Sequence, residues 1–202
     1  MTENSMPWPR KGDNLFEGIG DFWSNACLNY LPDQLGMYAD GYKRAGDLLV
    51  EHVRVAHRDQ DILVFPIVFL YRQYIELRFK EIIKEGNKLL DIPDGFPKHH
   101  KIDALWRQCR GILEKLWPEG PAKDLDAVEE CILQFSHKDP SSMAFRYPTD
   151  KHGNRSLPDI RHINLRNLSE IIDRIASLLD GASMGISYYL DQKIEMEQEF
   201  IR

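Results

Sequence analysis

Cysteine is scarce in this 202-residue chain: Cys27, Cys109 and Cys131 stand far apart, and no Cys-x-x-Cys pair occurs. A sequence-local zinc motif is therefore absent, and three widely spaced thiols make no disulfide framework. All three are expected to be ordinary core thiols in a reducing cytoplasm. Long apolar runs are also missing. The longest, Ile62 to Tyr71, has ten residues with Pro66 inside it, whereas a membrane span needs about 20. No membrane partner is expected. Met1-Thr2-Glu3-Asn4-Ser5 lacks the basic and apolar regions of a secretory signal. Gly-x-x-x-x-Gly-Lys and Gly-x-Ser-x-Gly do not occur, which removes the P-loop ATPase and the nucleophile-elbow hydrolase at motif level. Glu-x-x-His is absent too, which removes a ferritin-like di-metal site. No metal and no cofactor are expected. Runs of period two are missing as well, so the expected fold class is all-α.

What is present fits a globular helical protein. Hydrophobic residues make up 43% and charged residues 29%, as in soluble domains. The net charge of −6 argues against indiscriminate nucleic-acid binding without excluding a local basic site. Residues 1–32 read as an irregular N-terminal strap, whose Trp8, Phe16, Phe22, Trp23 and Tyr30 would pack on the body. Residues 33–202 read as one helical domain. Asp33 would cap a first helix reaching His57. A second helix follows Asp61 and ends near Glu85, stopped by Gly86-Asn87. A third runs from His99 to Leu116, with one of His99 and His100 capping it and the other packing. A fourth spans 122–135. A fifth starts near Asn164, and Gly181 and Gly185 would break or bend it before a last stretch to Phe200. On helix two, Arg72, Glu76 and Lys80 share one stripe at i, i+4 spacing. That stripe is a solvated face, an internal ion-pair network, or a polar strip facing a cleft or a dimer partner.

Charge is uneven. Between Lys138 and Arg166 six cations face three aspartates, so this segment is +3 and the remainder −9. The stretch contains the basic loop 138–163, too long for an ordinary helix connection. It is where an anionic ligand would be met. Its candidate ligand residues are Arg146, Tyr147, Lys151, Arg155 and Arg161, with His152 and His162 beside them. Arg146 would either contact a phosphate while Phe145 or Tyr147 stacks on a base, or pin the loop to backbone carbonyls.

Three motifs carry a resemblance. Tyr71-Arg-Gln-Tyr-Ile-Glu76-Leu77-Arg-Phe79-Lys80 resembles the second helix of HEPN domains, where a Gln, a Glu-Leu pair and a Lys recur in that order. His100-Lys101-Ile102-Asp103-Ala104-Leu105 is similar to the family's His-x-Leu-x-x-Leu opening of the third helix, with Ile102 in place of Leu. Phe145-Arg146-Tyr147-Pro148 resembles the Arg-Tyr-Pro loop before the final long helix. The resemblance covers about residues 35–180. It implies a four- or five-helix up-and-down bundle, often dimeric, with roles in RNA cleavage, nucleotide binding, toxin–antitoxin pairs and antiviral defence. Catalytic members cut RNA without a metal, using an Arg and a His four to six residues apart. Arg146 and His152 have five residues between them, and Arg155 and His162 have six. Arg would neutralise the phosphate and His would move the proton. Pro148 and Pro158 interrupt these pairs, so neither lies on one continuous helix.

The leading expectation is a cytoplasmic HEPN-like protein that binds RNA, a nucleotide or a partner protein in defence or stress response, as a homodimer. The alternatives are an active metal-independent endoribonuclease, with Arg146, His152, Arg155 and His162 as its catalytic candidates, and a purely structural protein-interaction module.

Overall fold

A computed structural model describes residues 8–18, 20–29, 34–93, 95 and 97–200. The chain divides into two units, Met1–Asp33 and Gln34–Arg202. In the first, a single 3-10 turn, Phe22–Ser24, is closed by Asp21, whose carboxylate accepts from the Trp23 amide and the Ser24 hydroxyl. The side chains of Trp8, Phe16, Phe22 and Trp23 are exposed, and so is Cys27, so of the three expected core thiols only Cys109 is fully buried. The expected Asp33 cap lies outside the described residues.

The second unit is all-α: α1 (Leu35–Ala56), α2 (Gln60–Leu89), α3 (Ile102–Leu116), α4 (Ala122–Lys138) and α5 (Leu165–Phe200). No strand occurs among the described residues. α2 is the hub because its apolar residues cover most of its circumference. Ile67, Tyr71, Tyr74, Ile75, Phe79, Ile82 and Ile83 are all fully buried, and α1, α3 and α5 pack around them.

Contacts fix the helix directions. Gly46 faces the Tyr71 ring and Asp40 pairs with Arg78, so α1 runs against α2. Arg72 reaches His100, the Phe79 and Trp106 rings lie 5.3 Å apart, and Gly86 touches Ile112, so α3 runs parallel to α2. α4 runs against α3, since Trp106 bonds Glu129 while Arg110, one turn on, reaches back to Asp126. α5 is parallel to α2, since Tyr71 bonds Ser169 and Tyr74 bonds Asp180. The bundle thus has one parallel step, from α2 to α3, within an otherwise alternating order. Loop 90–101 makes that step. Returning from Leu89 to the level of Arg72 takes about 25 Å at 1.5 Å per helical residue. An extended chain covers that in roughly eight residues.

Two glycine expectations change. α2 does not stop at Gly86 but continues to Leu89. A Cβ on Gly86 would collide with the Ile112 side chain, so this glycine serves close approach of α3. α5 runs without a break through Gly181 and Gly185. A Cβ on Gly185 would lie 3.1 Å from the Trp117 ring. Gly41 is different: it is exposed, and its added Cβ would meet nothing within 4 Å. Gly41→Ala should therefore stabilise the protein by about 0.5–1 kcal/mol through helix propensity. Gly86→Ala should destabilise it by about 1–3 kcal/mol through overpacking. Urea midpoints of both variants check this; a stabilising Gly86→Ala would contradict the α2–α3 approach.

Candidate functional site

The polar stripe of α2 is buried. Arg72 is 0% exposed, Glu76 1% and Lys80 6%. Charges in such a place must be matched. Glu76 accepts from Arg72 Nη1 at 3.2 Å and from Lys80 Nζ at 2.9 Å. His100 Nδ1 lies 2.6 Å from the same carboxylate, and Arg72 Nη2 donates to the His100 carbonyl at 3.0 Å. Of the three readings of this stripe, an internal ion-pair network is what the fold contains.

The same network holds the basic loop. Asp139, the residue that ends α4, is 1% exposed, and its Oδ2 lies 3.8 Å from Arg72 Nε. That is an ion pair without a hydrogen bond. The other carboxylate oxygen accepts from the amides of Met143 and Ala144 at 2.7 and 2.9 Å. Gln73 donates to the Ser142 hydroxyl, and the Phe145 ring is buried. The loop is therefore pinned by Asp139, Ser142 and Phe145. Arg146 is not the pin: its guanidinium is exposed, stacked over Phe69 at 5.5 Å and Tyr147 at 5.4 Å. Phe145 points inward, so of the two candidate stacking residues only Tyr147 is open to a ligand.

Beyond Tyr147 the chain forms a small hairpin. Thr149 and Arg155 make an antiparallel bridge, and Ser156 N donates to the Pro148 carbonyl. Asp150 accepts from the amides of His152 and Asn154. The Asn154 side chain and these amides hold the Asp150 carboxyl below its usual range. Lys151 and His152 stand at the exposed tip. The chain then returns to the start of α2. There Arg161 and His162, with Gln60 and Asp61, line a cavity of about 610 Å³ whose floor of Val64, Phe65, Phe145, Leu157 and Ile160 is apolar. A second groove, of about 960 Å³, shares Gln60 and Ile163 with it and is of mixed charge, with Arg44, Arg54 and Arg166 beside Asp47, Glu51, Glu170 and Asp173.

The pairs Arg146/His152 and Arg155/His162 are each divided among these parts, and neither shares a helix. His152 and His162 have no side-chain hydrogen-bond partner among the described residues. Three others do: His52 meets Asp59, His99 accepts from the Lys101 amide, and His100, on the crossover before α3, meets buried Glu76. α3 begins at Ile102, and its N-cap, Lys101, makes no side-chain capping bond. His100 is therefore neither cap nor packing residue. Asp139 and His100 escape sequence reasoning because they meet α2 from 67 and 24 residues away; the i, i+4 stripe of Arg72, Glu76 and Lys80 was visible, but not its burial or these partners.

The cations of the bundle and of the loop differ. Arg78 pairs with Asp40, Glu81 and Asp180; Arg110 pairs with Glu114, Asp126 and Glu129. Among the described residues, no carboxylate lies within 4 Å of Arg146, Lys151, Arg155, Arg161 or Arg166. Those residues also contain no group of three or more His, Cys, Asp or Glu side chains placed to hold a metal, and no helix long and apolar enough to cross a membrane. No protein-family model, curated protein or solved structure matches this chain.

Burial would raise the pKa of Glu76, but Lys80 and His100 outweigh it and hold it below the ordinary value. Its stabilising contribution is thus complete above about pH 4.5 and is lost as pH falls through the lower folded value. Glu76→Ala should cost about 3–5 kcal/mol at pH 7, because Arg72 and Lys80 are left buried without it. The variant's stability should also fall less steeply than wild type between pH 5 and 3. Urea titrations across that range check both; a small loss at pH 7 would contradict the network.

Proposed function

We propose that this is a HEPN-like protein that binds single-stranded RNA or a nucleotide through the face formed by loop 146–162. One observation carries the reading. Arg72, Arg78 and Arg110 are neutralised by two or three carboxylates each, while Arg146, Lys151, Arg155 and Arg161 have none within 4 Å among the described residues, and Arg161 lines a cavity with an apolar floor. Uncompensated Arg and Lys beside an apolar recess fit a ligand with phosphates and a flat base. The Arg146–Tyr147 stack adds an exposed aromatic surface for a second base. A homodimer, a protein partner, a cytoplasmic location and a role in defence or stress response belong to this proposal and follow the HEPN resemblance. Cleavage by His152 or His162 is the weaker reading, since no side chain orients either ring.

Fluorescence anisotropy with a labelled mixed-sequence RNA tests it. Binding should weaken with rising salt, and Arg161→Ala and Lys151→Ala should each lower the slope of log K against log salt by about 1. Both residues are exposed, so folding should be unaffected. Unchanged affinity and slope in both variants would overturn the assignment.

A further inference from the structure

α4 is tied to α3 and leaves a gap to α5. Trp106 and Arg110 of α3 bond Glu129 and Asp126 of α4, whereas no hydrogen bond or ion pair joins α4 to α5 among the described residues. Between α4 and the start of α5 lies a slot of about 190 Å³. Leu168, Ile171, Ile172 and Ile175 form its α5 wall and Val68 of α2 its base, and Phe145, Ile160 and Ile163 complete it from the loop. Phe135 of α4 faces this wall, and Phe135, Leu168 and Ile171 are only half-buried. Apolar side chains on two facing helices are thus left without a partner across the gap, which forfeits both hydrophobic and dispersion stabilisation.

The α4 edge of the slot is polar. Cys131, Gln134 and Lys138 recur at three and four and so share one helix face. Lys138 is the one charged side chain lining the slot. Its ammonium has no carboxylate within 4 Å among the described residues, and the Gln134 amide has no hydrogen-bond partner there. The acid next to Lys138, Asp139, is committed to Arg72 and to the amides of Met143 and Ala144. At the Cys131 end, Glu130 and Arg174 act with opposite sign. One uncompensated cation and one free amide therefore border an apolar slot, which fits a ligand with a single anionic head and an apolar body. An apolar cavity of about 150 Å³ takes benzene. A slot of about 190 Å³ accordingly holds an unbranched chain of roughly six to eight carbons.

We propose that this slot binds a medium-chain carboxylate such as octanoate, one molecule per chain. The carboxylate lies between Lys138 Nζ and Gln134 Nε2, and the alkyl chain follows Leu168, Ile171 and Ile175 towards Cys131. The site stands apart from the RNA reading, since none of the cations assigned to that reading lines the slot. Phe145, Ile160 and Ile163 also line the loop's cavity, so the two hollows share a wall.

Equilibrium dialysis of the full chain against radiolabelled octanoate, below its micellar concentration, tests the proposal. Wild type should bind one equivalent with a Kd of about 1 mM or lower. Lys138→Met keeps the stem, removes the charge and should weaken binding roughly tenfold. Unlabelled octylammonium should compete roughly tenfold more weakly than unlabelled octanoate. Ile171→Trp fills the slot from a half-buried position and should abolish binding. Cys131→Phe fills it from the opposite edge and should do the same, which covers the case of one variant failing to fold; circular dichroism checks both. Lys123→Met, at the other end of α4, should match wild type. No bound octanoate at millimolar concentration with wild type overturns the proposal. Binding that survives a folded slot-filling variant overturns it too, as does wild-type affinity in Lys138→Met or equal competition by octylammonium. RNA enters no arm of this test, so its failure leaves the RNA-binding face untouched.

Discussion

Arg72 on the central helix has no access to solvent, and most of the molecule follows from satisfying it. A guanidinium in that position must meet carboxylates and carbonyls. One of its partners, Glu76, comes from its own helix. The others come from far along the chain: Asp139 at the end of α4 and the His100 carbonyl on the crossover. Both connections that are not simple helix turns are therefore tethered to one side chain. An apolar residue in place of Arg72 would fill the volume but would not specify where those segments end. The buried charge here buys register (the use of buried polar groups with most support).

The consequence for function is a division of labour among cations. Arg72 and Arg78 of α2 and Arg110 of α3 each meet two or three acidic groups and hold helices together. The loop that begins at Asp139 is fixed by backbone amides on that carboxylate, so its own arginines form no ion pair within 4 Å among the described residues. A chain of net charge −6 can in this way present a locally basic face. Electrostatics then favour approach of an anion to that face over the acidic remainder.

The helices were legible because their apolar residues recur at three and four, and the all-α architecture followed from the lack of strand periodicity. Their ends were less legible for a specific reason. Gly86 and Gly185 read as helix stops by propensity, but each lies where another side chain approaches within contact distance. Tertiary packing overrode the local preference. The α2 stripe was visible as a spacing, but spacing cannot distinguish a solvated face from a buried one. The loop's cations were visible as a charge excess; their freedom from carboxylates was not, since pairing is set by three-dimensional proximity. His100 was hidden for the same reason, because its partner lies on another element.

Hydrogen–deuterium exchange of the full chain, with and without a single-stranded RNA oligonucleotide, tests the central claim most directly. Free protein should show slow exchange at Met143 and Ala144, whose amides are held by buried Asp139. RNA should slow exchange across 146–163 and leave the outer half of α5 unchanged. Fast exchange at 143–144, or protection by RNA confined to segments other than 146–163, would contradict an RNA-binding face built on the buried charges of α2.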